Sequence, residues 1–185
     1  LMGGPEVKDT SSARGAPNYL RELSRLADDI NSSEQQLSVL ETLFVNRNIQ
    51  NEVFIAGRPV KKGWMSSRFG MRVDPITGKR AFHNGVDFAG KLGADVVAVA
   101  AGVVVYADAR SGYGEMVEIN HGGGFSTRYG HHDKLIVKVG DIVKKGQVVG
   151  KMGSSGRSTG PHVHYEVYKN GRVVDPSSYV QRASR

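Results

Sequence analysis

Apolar residues follow two different periods along this chain, and the change between them divides it. From about Tyr19 to Phe44, the residues Leu20, Leu23, Leu26, Ile30, Leu37, Leu40 and Leu43 recur at spacings of three, four and seven, which lays one apolar stripe along a helix. Asn31-Ser32-Ser33 ahead of Glu34 supplies capping oxygens, so the stripe reads either as one long helix or as a bent helical pair. Such a stripe packs on a neighbouring helix, on another chain or on the rest of the molecule, and it marks no chemistry. From Gly57 onward glycine becomes frequent and short Val-rich runs alternate with turn signals, which predicts a mainly β domain built as a Gly-rich antiparallel sheet. Strands are expected over Ala94–Ala109, Met116–Asn120, Phe125–His131, Ile136–Val139, Gln147–Met152, His162–Lys169 and Arg172–Val174. Asn170-Gly171 joins the last two as a type I′ hairpin, a turn that needs positive φ at both central positions. Residues 1–16 are rich in breakers and lack any period, so they read as a flexible arm. The expected organisation is that arm, a helical extension and connector over 17–56, a β domain over 57–180 and a tail over 181–185.

Charge narrows the classes of partner. Lys and Arg number 25 against 18 Asp and Glu, a formal charge of +7 that attracts polyanions. The basic residues are scattered, with no basic run set among stacking aromatics, so nucleic acid is not the expected partner and an acidic polymer fits as well. The absence of cysteine removes disulfides and thiolate ligands, which leaves His and carboxylate for any zinc site. No run of about 18 apolar residues is present to span a membrane, and no signal peptide opens the chain. Leu1-Met2-Gly3-Gly4-Pro5 reads as a cut linker or scar, so an export signal or membrane anchor is expected outside this sequence.

Five of the six histidines fall into three short motifs. In His162-Val163-His164 the alternation of a strand points both imidazoles to one side, although HxH by itself is more often a surface pair than a ligand pair. In His83-Asn84-Gly85-Val86-Asp87 the Asn-Gly pair weakens a helix, so a turn or extended strand brings imidazole and carboxylate together. The plain alternative there is an Asp accepting a hydrogen bond from His in a loop. In Tyr129-Gly130-His131-His132-Asp133 the adjacent imidazoles face opposite sides of a strand, so only one joins a given cleft. His132, and His121 in its glycine turn, are then expected to face solvent.

Together, in this order and on a glycine-rich β scaffold, the three motifs resemble the lysostaphin-like (LytM-type) zinc endopeptidases of peptidoglycan. The resemblance covers about Gly63 to Val180, including Ser66-Ser67-Arg68-Phe69-Gly70-Met71-Arg72, Asp74-Pro75-Ile76-Thr77-Gly78, His83-Asn84-Gly85-Val86-Asp87-Phe88 and the run from Gly153 to His164. It implies one Zn²⁺ per chain held by His83, Asp87 and His164, with His131 and His162 as the catalytic pair. It also implies hydrolysis of peptide cross-links in bacterial peptidoglycan, with D-alanyl-diaminopimelate bonds favoured over glycine bridges, in the cell envelope and chiefly the periplasm. A basic groove including Arg68, Arg72, Arg128 or Arg157 would orient the stem-peptide carboxylates. The rival is a catalytically silent member that activates cell-wall amidases by binding; such members lack ligands, whereas all five positions stand here. The helical extension lies outside the resemblance. It is expected to serve self-association or partner contact, with a connector that partly shields the groove.

Overall fold

A computed structural model describes residues 18–180, so the arm expected over 1–16 and the tail expected over 181–185 lie outside the described residues. The chain divides between Arg47 and Asn48 into two compact units. One helix, α1 (Asn18–Val53), runs from the first into the second, and none of its residues is buried. The Asn31-Ser32-Ser33 step does not break it, because the Ser33 hydroxyl bonds backwards instead of capping. Ser33 Oγ donates to the Asp29 carbonyl at 2.8 Å, as Ser24 does to Leu20 at 3.0 Å and Thr42 to Ser38 at 2.9 Å. Each such bond satisfies the hydroxyl within the helix itself.

The second unit is built of antiparallel strands. In chain order they are β1 (Trp64–Ser67), β2 (Gly70–Val73), β3 (Arg80–His83), β4 (Val86–Ala89), β5 (Asp95–Val97), β6 (Gly102–Arg110), β7 (Gly114–Gly122), β8 (Phe125–Leu135), β9 (Ile142–Val143), β10 (Val148–Met152), β11 (His162–Lys169) and β12 (Arg172–Val174), followed by the short helix α2 (Ser177–Val180). The main sheet has the order β1-β4-β11-β8-β7-β6-β9, with β10 joining β5 to β8 and β12 beside β11, while β2 and β3 form a separate ribbon. Asn170 and Gly171 turn β11 into β12 with φ of 51° and 74°, the two positive values a type I′ turn requires.

The expected strand over Ala94–Ala109 is two strands. Between them the amides leave the ladder: Ala98 N–H donates to the Gln147 carbonyl, Val99 N–H to the Tyr129 hydroxyl and Ala101 N–H to the Glu52 carbonyl. Ile136–Val139 is not a strand, because Asp141 accepts a hydrogen bond from Lys138 N–H at 2.9 Å and donates its own N–H to the Lys138 carbonyl, closing a turn. Strands β1 to β4 escape the sequence reading because each is only four residues long and the first three are partly exposed.

The core lies on one face of the central strands. Val163, Tyr165 and Val167 of β11 meet Val86 and Phe88 of β4, Val117 and Ile119 of β7 and Tyr129 of β8, all essentially excluded from solvent. Burying each such side chain contributes roughly 1.5–3 kcal/mol before entropic costs, which fixes the register of the sheet. The core starts upstream of Gly57, since Ile55 and Ala56 are each only 4% exposed. The end of α1 is tied into the same unit, with Glu52 accepting a hydrogen bond from Lys145 N–H at 3.3 Å as well as the one from Ala101.

A three-donor cluster in the cleft

Register brings the two distant motifs together. In the β4–β11 pairing Asp87 lies opposite His164. His83 closes β3, and the Asn84-Gly85 turn swings its imidazole to the same spot. Gly85 is required there: a Cβ on it would stand 2.3 Å from the Tyr165 carbonyl oxygen and 2.9 Å from His164 Cε1.

Three ligand atoms converge as a result. His83 Nε2 is 3.1 Å from Asp87 Oδ1 and 3.0 Å from His164 Nδ1, and His164 Nδ1 is 2.8 Å from Asp87 Oδ1. The opposite ring nitrogens settle which atoms carry protons. His83 Nδ1 faces the Arg68 carbonyl at 2.8 Å and His164 Nε2 faces Glu166 Oε1 at 3.0 Å, and both partners accept only. Each imidazole in its neutral form therefore turns a lone pair inward. Two such lone pairs and a carboxylate oxygen, all buried, repel one another unless a cation sits among them. This donor set fits a divalent metal of zinc type.

Without a metal, a proton does that work. Burial opposes a charge on His164, yet its hydrogen bonds to Asp87 and Glu166 outweigh burial and push it up to about 9. Burial likewise opposes the charge on Asp87, and hydrogen bonds from His164 and His83 hold its carboxyl well below the usual range all the same.

His131 and His162 stand beside this cluster with ring centroids 4.5 Å apart. His131 takes φ of 65°, a left-handed conformation rare outside glycine, where Tyr113 and Gly153 hold its backbone on both sides. Its Nδ1 donates to the Ser155 carbonyl at 2.7 Å, and His162 Nδ1 donates to the Gly160 carbonyl at 2.8 Å. Both Nε2 atoms thus keep an unshared pair on the cleft side, that of His162 lying 3.9 Å from Asp87 Oδ1. Burial pulls His131 down to about 4 against the pull of its Ser155 bond, so it is neutral at physiological pH.

All five singled-out residues therefore line one cleft of about 250 Å³. Arg72 and Arg157 line it too, Arg72 at 3.5 Å from Asp87 Oδ2 and Arg157 at 2.6 Å from Asp74 Oδ2. Arg128 does not line the cleft; it pairs with Glu118 at 2.8 Å, donates to the Tyr168 hydroxyl at 2.7 Å and stands 3.8 Å behind Glu166 Oε2. None of the connector residues 48–56 lines it; several of them instead border a separate groove with His121, Phe125 and Tyr179.

The expectation that His121 and His132 face solvent is overturned. His132 is completely buried over Gly150, and burial holds its ring near a pKa of about 4. The left-handed turn at His131 breaks the simple alternation that would have sent one of the two outward. His121, 6% exposed, closes a hydrogen-bonded chain through Thr127 and Tyr129, with the Ala101 carbonyl 2.7 Å from its Nδ1.

One site residue was missed. Glu166 is fully buried and accepts from His164, from the Tyr113 hydroxyl at 2.9 Å and from the Tyr168 hydroxyl at 3.0 Å. Burial opposes its charge, and these bonds, His164 first, still hold its carboxyl low. A signal existed: Glu166 continues the every-other-residue face that starts at His162 and His164.

Comparison with known proteins agrees with this geometry. The family described as Peptidase family M23 matches residues 81–176. The peptidoglycan DD-endopeptidase ShyA of Vibrio cholerae is 44% identical over 119 residues, which is 63% of this chain and 28% of that protein. A zinc-containing peptidase from Vibrio cholerae superposes with a TM-score of 0.62 at 38% identity, over 70% of this chain and 40% of that one. The catalytic domain of the antimicrobial peptidase lysostaphin from Staphylococcus simulans gives 0.59 at 32% identity, over 65% of this chain and 93% of that domain. The chain spans about a quarter to a third of the length of the first curated relatives it matches. Among the described residues no helix is long and apolar enough to cross a membrane.

Proposed function

The chain belongs to peptidase family M23, and from that premise we propose that it is a zinc-dependent endopeptidase cutting peptide cross-links of bacterial peptidoglycan in the cell envelope. The observation that carries the reading is the inward convergence of three buried lone pairs beside two imidazoles whose Nε2 atoms are unshared. His83, Asp87 and His164 hold one Zn²⁺ per chain. When bound, the metal supplies Lewis acidity toward the scissile carbonyl and lowers the pKa of a water from 15.7 toward about 7.

The chain's own groups do the rest. His131 and His162 share proton transfer and stabilisation of the charge that develops on the carbonyl oxygen, because each is anchored through Nδ1 and presents Nε2 to the cleft. Glu166 fixes the tautomer and orientation of His164 through its Nε2–H, as outer-shell carboxylates do for metal-bound imidazoles. Arg72 and Arg157 stand at the cleft beside the carboxylates of Asp87 and Asp74, and are the arginines placed to meet stem-peptide carboxylates. The 44% identity to a peptidoglycan DD-endopeptidase supports the D-alanyl-diaminopimelate bond as the target and the periplasm as the compartment.

The test combines metal analysis with digestion of purified cross-linked peptidoglycan. About one zinc per chain is expected, lost in His83→Ala, Asp87→Ala and His164→Ala, together with release of uncrosslinked muropeptides by the unaltered chain alone. Full zinc occupancy in His164→Ala would overturn the ligand assignment. Zinc uptake with no muropeptide release would leave a binding module in place of a peptidase.

A further inference from the structure

The exposed stripe of α1 keeps a regular seven-residue repeat. Leu23, Ile30, Leu37 and Phe44 fall at one seam position, a, and Tyr19, Leu26, Ser33, Leu40 and Arg47 at the other, d. The large apolar members of this seam are about half exposed or more, from 49% at Leu40 to 62% at Phe44. A helix of 36 residues spans about 54 Å, so the seam is long enough for a two-stranded coiled coil of four heptads.

Charge decides what can lie on it. The positions flanking the seam, e and g, are Leu20, Ala27, Glu34 and Glu41 on one side and Glu22, Asp29, Gln36 and Leu43 on the other. Every charged flank is acidic. The arginines of this stretch, Arg21, Arg25 and Arg47, stand on the outer face or within the seam. The segment 18–47 holds five acidic residues against three arginines, in a chain whose overall charge is +7. Two copies in parallel would set Asp29 against Glu34 of the other copy, and in neither orientation would an acidic flank meet a basic one. Self-pairing therefore gains no flank attraction and, in parallel, meets the Asp29–Glu34 repulsion, while Ser33 at the centre of the seam, present in both copies, weakens it further.

We propose that α1 is one strand of a heteromeric coiled coil whose partner is an amphipathic helix with an apolar seam and Lys or Arg at its flanking positions. The flank charges give specificity and the seam residues give affinity. A second copy of this chain offers these flanks no opposite charge.

The probe is a pair of synthetic helical peptides with one shared Ile/Leu seam of four heptads, one carrying Lys and the other Glu at every flank. Each is titrated into the full chain at neutral pH and low salt by calorimetry, with helicity followed by circular dichroism. The Lys peptide should bind one to one, at least about tenfold tighter than the Glu peptide, with affinity falling as salt rises. Changing Glu22, Asp29, Glu34 and Glu41 together to Lys should reverse the preference between peptides. Ile30→Asp with Leu37→Asp should abolish binding of the Lys peptide. Equal affinity for the two peptides overturns the proposal, as does Lys-peptide binding that survives the double seam substitution, which would mean charge attraction without a coiled coil. A micromolar dimer of the chain alone in sedimentation, dispersed by Ile30→Asp with Leu37→Asp, would make the occupant a second copy and overturn it too.

Discussion

Glu166→Gln should weaken zinc binding by about ten- to a hundredfold while leaving all three ligands in place. The carboxylate accepts three hydrogen bonds in a space closed to water, from His164 Nε2–H at 3.0 Å and from the Tyr113 and Tyr168 hydroxyls at 2.9 and 3.0 Å. Glutamine keeps the volume but offers one accepting end, and its amide hydrogens meet a group that already donates. A hydrogen bond to a charged partner is worth roughly 1.5–3 kcal/mol against 0.5–1.5 for a neutral pair, so the His164 bond alone loses about 1 kcal/mol. The imidazole also becomes a poorer electron donor and is freer to rotate out of the three-atom cluster. Together these losses amount to about 1.4–2.8 kcal/mol, the same ten- to hundredfold. Competition against a chromophoric chelator measures the zinc affinity directly, and the circular dichroism of both proteins checks that the sheet is intact. A Glu166→Gln chain that binds zinc within threefold of the original would refute the orienting role.

Four further outcomes are expected. His131→Ala and His162→Ala should keep zinc and lose about a hundred- to ten-thousandfold in cleavage of cross-linked muropeptides, whereas loss of zinc from either would move it into the ligand set. Gly85→Ala should displace His164 and lower zinc occupancy, since backbone 2.3 Å from the new Cβ cannot yield; unchanged occupancy would show that the turn is slack. In the chelator-treated chain His164 is raised from 6.5 to about 9, so its contribution to stability is complete below about pH 6.5 and is lost as pH rises through about 9. The metal-free melting temperature should therefore fall between pH 6.5 and 9.5, and a rise would contradict the buried imidazolium. A chain starting at Asn48 should melt close to the full one, whereas one starting at Gly57 loses the buried Ile55, roughly 1.5–3 kcal/mol, and leaves Ala101 N–H without Glu52. Equal melting of the two truncations would place the edge of the core at Gly57 after all.

What could be read from the sequence depended on whether a local rule had room to act. His162 and His164 fall on one side of a strand because alternation is a property of the backbone, and Asn170-Gly171 marks a hairpin because few other pairs tolerate both positive φ values. The positions of His131 and His132 were only half legible. Alternation separated them, but the left-handed φ at His131 comes from hydrogen bonds to Tyr113 and Gly153, which are distant in sequence and carry no local mark. Burial of His121 and His132 is likewise a tertiary outcome: polar residues are ordinarily exposed, and it is Ala101 and Thr127 around His121 and Gly150 of β10 against His132 that enclose them. The helix ran through Asn31-Ser32-Ser33 because a serine that can cap can also bond backwards, and spacing alone does not choose between them.

Strand β11 shows why the site and the core are one construction. Its odd-numbered residues, Val163, Tyr165 and Val167, are buried against β4, β7 and β8, while the even-numbered His162, His164 and Glu166 face the cleft. A slip of one residue would exchange the two sets, putting two imidazoles and a carboxylate into the apolar core. The energy that holds the register is therefore supplied by side chains that never touch the chemistry. That same register sets Asp87 opposite His164, so a ligand on β4 and a ligand on a strand 77 positions later meet without either needing a loop to reach. Placing the ligands on paired strands also explains why Gly85 sits between His83 and Asp87: the turn must press against β11 closely enough to share its backbone, and a side chain there would hold the first ligand away from the third.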